Sequence, residues 1–273
     1  MTTPRAATLD VPGARLYYEV RGRGPVLVLI HGGAGDAGVF HEIAGPLAEH
    51  FTVVAPDRRG HSRSPLVPPG GTPRVAEHSD DIHRLIGELT DEPALVYGSS
   101  SGAVVALDLL ARHPERLRRV VVHEPPLLEL LDDPAPHRAL FAEVRDVFRT
   151  DGVGAAMARF SQALGARPTE RPTELPPEIQ EMAPRMHANL PVFLGHMLCP
   201  FSSTVPDLDA LRRVADRLVP AAGRDSRGQV PLYGPAARLA ELLGREVLEF
   251  PGGHLGCTEH PKEFGKQLLA ALD

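Results

Sequence analysis

Residues 94–112 read ALVYGSSSGAVVALDLLAR. The first four, Ala94 to Tyr97, are apolar without polar alternation, as in a strand covered on both faces. From Val104 to Leu110 the apolar residues continue as a helix. Between them Gly98-Ser99-Ser100-Ser101-Gly102 satisfies G-x-S-x-G. A reactive serine on a sharp strand-to-helix turn needs small residues two places before and after it, because the strained backbone leaves no room there for side chains. Only Ser100 is flanked in that way, which makes it the candidate nucleophile. The backbone N–H of Ser101 is then the first candidate oxyanion donor. A glycine-serine turn without chemistry is the plainer reading, and the strand before and helix after weigh against it.

Further candidate strands lie on both sides: Arg15 to Val20, Pro25 to Ile30, Thr52 to Ala55, Arg118 to Val122, Arg217 to Ala221 and Glu246 to Phe250. They alternate with stretches of helical period. Ser79 to Leu89 carries Ile82, Leu85, Ile86 and Leu89 on one face, and Pro261 to Leu272 starts with proline at an early helical position. The alternation predicts an α/β fold with a mostly parallel sheet and crossover helices. It breaks between about Pro126 and Asp209, where the helical segments Leu140 to Phe148 and Val153 to Leu164 are followed by proline-rich sequence such as RPTERPTELPPE. Residues 126–209 are therefore expected to form a helical lid without a long continuous helix, and residues 1–125 and 210–273 the core. PPGGTPR, Pro68 to Arg74, reads as a surface loop.

A chain of 273 residues can bury one large core. With 42% apolar and 23% charged residues it reads as an ordinary globular protein. The net charge of −6, with arginines dispersed among acids, gives no expectation of nucleic-acid or anionic-membrane partners. Cys199 and Cys257 show no CxxC spacing, so no metal or redox site is expected and a reducing compartment fits better. The N-terminal MTTPRAATLDV lacks an apolar signal core, and the longest apolar run, Val26 to Ile30, is far short of the roughly 18 residues of a membrane helix. A cytoplasmic protein needing no cofactor is expected, with a homodimer left open.

Two more segments carry chemistry. His31-Gly32-Gly33-Ala34-Gly35 follows the strand PVLVLI, and glycines there let backbone N–H groups turn toward a substrate. Gly32 or Gly33 is the candidate second oxyanion donor, and His31 reads as a structural hydrogen-bonding residue. Phosphate binding fits poorly, since neither GxGxxG nor a P-loop lysine is present. Phe250-Pro251-Gly252-Gly253-His254 sets a histidine on a glycine-rich turn after the last strand and before the terminal helix. His254 is the candidate base, because the chain order of nucleophile, acid and histidine ends there.

HGG, DRRGHSRS at Asp57 to Ser64, GSSSG and PGGH follow, in order and spacing, the pattern of the α/β-hydrolase superfamily, which the chain resembles over nearly its whole length. The resemblance implies a mostly parallel α/β-hydrolase sheet flanked by helices, with a helical lid inserted after the sixth strand. In most members the triad acid stands three residues after a glycine, in a GxxD pattern beyond the lid. Here that position is Ser226, counted from Gly223, and Asp225 falls one place early. Some members carry the acid at the end of the strand after the nucleophile helix, and here that residue is Glu124, in Arg118 to Pro126, RRVVVHEPP. A carboxylate buried at that strand end costs several kcal/mol unless a hydrogen-bonding cation meets it, and His254 would supply one. Glu124 is the preferred acid and Asp225 the alternative; capping the lid's entry is the plain structural role for Glu124.

SSSGA with HEPPLLELL also resembles the zearalenone-type lactonases, which have a serine nucleophile and a glutamate acid in an equivalent HE-x-P segment. Leu190-Pro191-Val192-Phe193 resembles their lid, with Phe193 where a lactone-contacting tryptophan stands, and His31 replaces an aspartate. The expected enzyme is a serine hydrolase of a hydrophobic carboxylic ester or lactone, with Phe193, Leu194 and Met197 as substrate-binding candidates. A cofactor-free lyase or perhydrolase on the same scaffold, or a hydrolase-like binding protein for a small ligand, is the alternative.

Overall fold

The computed structural model of the protein describes residues 4–67, 73–164 and 177–273. The loop Pro68 to Arg74 and the stretch RPTERPTELPPE fall largely outside them. In chain order the elements are β1 (Arg5–Val11), β2 (Ala14–Arg21), β3 (Val26–Ile30), α1 (His41–Leu47), β4 (Thr52–Pro56), α2 (Val75–Leu89), β5 (Ala94–Ser99), α3 (Ser101–Arg112) and β6 (Leu117–His123). Helices α4 (Ala135–Ala163), α5 (Pro177–Val192), α6 (Leu198–Ser202) and α7 (Leu208–Arg212) follow. The chain closes with β7 (Leu218–Gly223), α8 (Val230–Leu242), β8 (Leu248–Phe250), α9 (Gly256–Glu259) and α10 (Pro261–Leu272).

The eight strands form one sheet in the order β1-β2-β4-β3-β5-β6-β7-β8. The pairs β1–β2 and β2–β4 are antiparallel, and the remaining pairs are parallel. All seven strand candidates recur within a few residues of their expected ends. The eighth, β1, was missed because RAATLDV is mostly exposed at the sheet edge and offers no buried apolar run. Counting it makes the strand that ends beside Glu124 the sixth.

Strand alternation explains both covering layers. Leu27 and Leu29 of β3 join α1 and α10 in a core with Ile43, Phe264 and Leu268. Val26, Val28 and Ile30 point the other way, toward Leu85 of α2 and Val105 of α3. Burial on both faces removes any need for polar alternation, so β3 is wholly apolar.

Between β6 and β7 the described chain is helical. Its longest element, α4, breaks at Gly152, whose φ of 85° and ψ of −175° are not helical. A glycine therefore makes that division, where the sequence reading relied on prolines. Pro184 and Pro191 lie inside α5 instead of ending it. Among the described residues no helix is long and apolar enough to cross a membrane.

The turn from β5 into α3 is made by close backbone approach. A Cβ at Gly98 would stand 2.5 Å from the carbonyl oxygen of Gly102, and one at Gly102 would overlap the carbonyl oxygens of Ile30 and His31. Gly87, exposed in α2, has open space around it. Gly102→Ala should therefore lower stability by about 2 kcal/mol or more, since rigid backbone must move. Gly87→Ala should raise it by about 0.5–1 kcal/mol through helix propensity. Urea unfolding of both variants checks the pair, and a tolerated Gly102→Ala would contradict the packing described.

Candidate active site

Parallel strands deliver their C-terminal ends to one side of the sheet, where loops after β3, β5, β6 and β8 meet. Ser100 sits at the elbow with φ 55° and ψ −125°, a conformation that favours glycine. Its N–H donates to the carbonyl of His123 at 2.9 Å, tying the elbow to the end of β6. Ser62 and Glu124 are the other non-glycine residues with positive φ among those described. Two of the three strained positions are thus a proposed nucleophile and its proposed acid.

Glu124 is fully buried, with φ 48°. Its N–H donates to Ala221 O at 2.9 Å, and its Oε1 accepts from the Gly223 N–H at 2.8 Å. Oε2 stands 2.6 Å from His254 Nδ1. A carboxylate cannot donate, so the ring's Nδ1 carries the proton and Nε2 is left as an acceptor. Burial pushes the Glu124 carboxyl upward, but the hydrogen bond and charge of His254 outweigh it and hold the group at about 2. Asp225 is exposed, and its described bonds are made by its backbone, to Gly252 and Gln229. Of the two acids expected for His254, the structure brings Glu124 to it. The usual acid position, Ser226, is occupied by a buried hydroxyl.

The loop after β3 runs directly over the elbow. A Cβ at Gly32 would stand 2.6 Å from Ser100 Cβ and 2.8 Å from Ser99 O. The Gly33 N–H, expected as an oxyanion donor, instead donates to Ser101 Oγ at 3.0 Å. The loop's carbonyls are held from behind. Gly32 O accepts from the Gly35 N–H at 3.0 Å and faces His31 Nδ1 at 3.2 Å. Gly33 O accepts from Arg58 Nη2 at 3.0 Å, while Ala34 O and Gly35 O accept from Asn189 Nδ2 at 2.9 and 3.2 Å. His31 is buried, and its Nε2 accepts from the Arg58 N–H at 3.2 Å. Burial, then the charge of Arg58, holds its ring well below the ordinary histidine range, so it stays neutral and structural.

Ser100, Ser101 and His254 line one pocket whose remaining wall is apolar, including Phe141, Phe160, Phe193 and Met197. Phe160 meets Phe193 edge-on, with ring centroids 5.9 Å apart. Leu194, expected in the same wall, packs fully buried in the core. The three residues lie on one π-helical turn, Phe193–Met197, which carries Phe193 and Met197 to the pocket and turns Leu194 away from it. Phe141, Phe160, Pro231 and Leu232 come from distant segments, so no local pattern marks them. Arg58, although inside DRRGHSRS, and Asn189 were given no role by the sequence, since neither residue's neighbours signal that its side chain is buried against the glycine loop. A larger open groove lies between the N-terminal ends of the strands, near Thr52, Thr90 and Arg217, and holds none of these groups.

With this fold and site in view, comparison with known proteins places the chain in a class. A family model described as the alpha/beta hydrolase fold matches residues 25–189, and the chain belongs to that family. An uncharacterized hydrolase, YraK, of Bacillus subtilis is 40% identical over 270 residues, covering 97% of this chain and 95% of its own. A zearalenone hydrolase of Bionectria ochroleuca is 30% identical over 275 residues, 96% of each chain. Among solved structures, a thermophilic esterase from Thermogutta terrifontis is similar in fold, with a TM-score of 0.75 at 19% identity, covering 98% of this chain and 97% of that one.

The Glu124–His254 contact has a consequence for acid stability. A folded-state value of about 2, below the ordinary 4.5, means the pair stabilises the fold fully above pH about 4.5 and loses that contribution as pH falls toward 2. The gap in urea midpoint between the wild type and Glu124→Gln should be widest near neutrality and shrink as pH falls from about 4.5 toward 2. A gap independent of pH would show that the fold does not hold the Glu124 carboxylate ionised.

Proposed function

We propose that this protein hydrolyses a carboxylic ester or lactone of a hydrophobic small molecule through an acyl-enzyme on Ser100. The observation that carries the reading is the 2.6 Å contact between His254 Nδ1 and buried Glu124, on the same pocket as the strained Ser100. Nε2 of His254 takes the proton of Ser100 Oγ as that oxygen attacks the carbonyl carbon. The carbonyl oxygen becomes an oxyanion, met by the Ser101 N–H at the start of α3 and by the Gly32 loop. His254 returns the proton to the departing alkoxide, which leaves as the alcohol, or stays attached as the ring-opened chain of a lactone. Water then attacks the acyl carbon, again with His254 as base, and releases the acid and a restored Ser100. Glu124 keeps the imidazole in the tautomer this requires and stabilises its cation.

The apolar wall of Phe141, Phe160, Phe193 and Met197 supports a hydrophobic acyl or ring portion. The relative named zearalenone hydrolase lends weight to a lactone among the carbonyl substrates. In this reading residues 126–209 are a lid over the core of residues 1–125 and 210–273, since that insertion supplies much of the pocket wall.

Ser100→Ala should abolish hydrolysis of aryl esters and macrocyclic lactones while the unfolding midpoint stays near that of the wild type. Labelling by a fluorophosphonate should likewise disappear. Glu124→Gln should lower kcat by about 10³- to 10⁴-fold, whereas Asp225→Asn should change it little. Ester hydrolysis retained by Ser100→Ala would sink the mechanism, and a wild type inert to the probe would favour a ligand-binding protein.

A further inference from the structure

The hydroxyl of Ser101 carries an unspent proton. A serine hydroxyl offers two lone pairs and one donor. In this structure Ser101 Oγ accepts from the Gly33 N–H at 3.0 Å and from Arg58 Nη2 at 3.2 Å, which uses both lone pairs. Among the described residues nothing accepts the proton of Ser101 Oγ. Ser101 lies on the pocket wall beside Ser100 and His254. Gly33, whose amide fixes Oγ, faces the same pocket: a Cβ built on it would lie 3.8 Å from the ring of Phe193.

Arg58 gives this arrangement its strength. Its side chain is almost entirely buried, yet no described carboxylate pairs with it. The bonds its guanidinium makes among described residues go to Gly33 O and Ser101 Oγ, while Nε and Nη1 have no partner. Burial draws the group down to about 9, so it stays cationic at neutral pH. A buried cation is costly and needs a compensating function or partner. Directed at the oxygen of a hydroxyl, it polarises the O–H bond and strengthens the hydrogen bond that hydroxyl can donate.

We propose that the side-chain hydroxyl of Ser101 is a donor of the oxyanion hole, and that Arg58 and the Gly33 amide are positioning groups that hold both its lone pairs and turn its proton toward the carbonyl oxygen of the substrate. The inference rests on ester or lactone hydrolysis at Ser100. No bond to Ser101 forms or breaks: as charge develops on the carbonyl oxygen, the hydroxyl shortens a hydrogen bond to it, and the proton stays on Oγ. The hole then consists of the Ser101 N–H, the Ser101 O–H and the Gly32 loop, and Gly33 acts through the hydroxyl. The electrostatic gain is largest in the tetrahedral state, because the ground-state carbonyl carries far less charge.

The decisive variant is Ser101→Ala, which removes one oxygen and keeps the backbone N–H. With 4-nitrophenyl butyrate, kcat should fall about 100-fold and KM should stay within about twofold. The inhibition constant of butylboronic acid, whose serine adduct carries a tetrahedral oxyanion, should rise by a similar factor. Ser101→Thr, which restores a hydroxyl, should recover at least about tenfold of the lost rate. Arg58→Met should slow the wild type by a clearly larger factor than it slows Ser101→Ala, because in the second background only its bond to Gly33 O is left to lose. A thermal melt of each variant separates folding from rate: loss of kcat with an unchanged folded fraction is the expected pattern. A Ser101→Ala enzyme with wild-type kcat and unchanged boronic-acid affinity overturns the proposal and leaves Ser100 hydrolysis standing. A wild type that neither hydrolyses the ester nor binds the boronic acid overturns both.

Discussion

The constraint on which the site depends is the backbone contact between the β5–α3 elbow and the loop after β3. Gly102 presses on the carbonyls of Ile30 and His31, and Gly32 presses on Ser99 and Ser100. Two surfaces without side chains can approach this closely, and the approach holds Ser100 at φ 55°. Strain of this kind costs of order 1–3 kcal/mol and persists only where surrounding structure over-determines it. Here the surrounding structure is a central strand buried on both faces, whose apolar packing supplies far more than that cost.

A second constraint is the burial of Glu124. A lone carboxylate at the end of β6 would be expelled or protonated. It is retained because the Gly223 amide and the His254 ring each take one of its oxygens. Both partners depend on glycines. A Cβ at Gly223 would stand 2.6 Å from the carbonyl oxygen of Gly252, so β7 and the His254 loop can meet only where side chains are absent. The charge and the two loops hold one another in place, and Ser226 at the usual acid position contributes no rival carboxylate.

The helical insertion is tied to the same loop by polar contacts as well as by its apolar wall. Asn189 of α5 donates to Ala34 O and Gly35 O and accepts from the Ser62 N–H at 2.8 Å. Arg185 donates to buried Asp36 at 2.6 Å. A shift of α5 would therefore be felt at the residues beside Gly32 and Gly33. The pocket wall in the insertion and the glycine loop after β3 are thus linked through short hydrogen bonds, of which Arg185–Asp36 is charge-assisted.

Local sequence determined the strands, the elbow and its serine, the glycine loop after β3 and the histidine turn after β8, because each rests on a short pattern of apolar period and glycine spacing. The resemblance to the α/β-hydrolases offered Glu124 and Asp225 as candidate acids, and a carboxylate closing an apolar strand, an energetic anomaly visible without coordinates, favoured Glu124. Edge strand β1 escaped, as exposed strands carry little apolar signal. Tertiary structure alone brought His254 to Glu124 across 130 residues. It set Leu194 into the core, broke α4 at Gly152 and spent the Gly33 amide on Ser101. It also placed Arg58 behind that hydroxyl. These outcomes depend on which surfaces meet across distant segments, and that information lies in packing and hydrogen-bond satisfaction, beyond the reach of any local pattern.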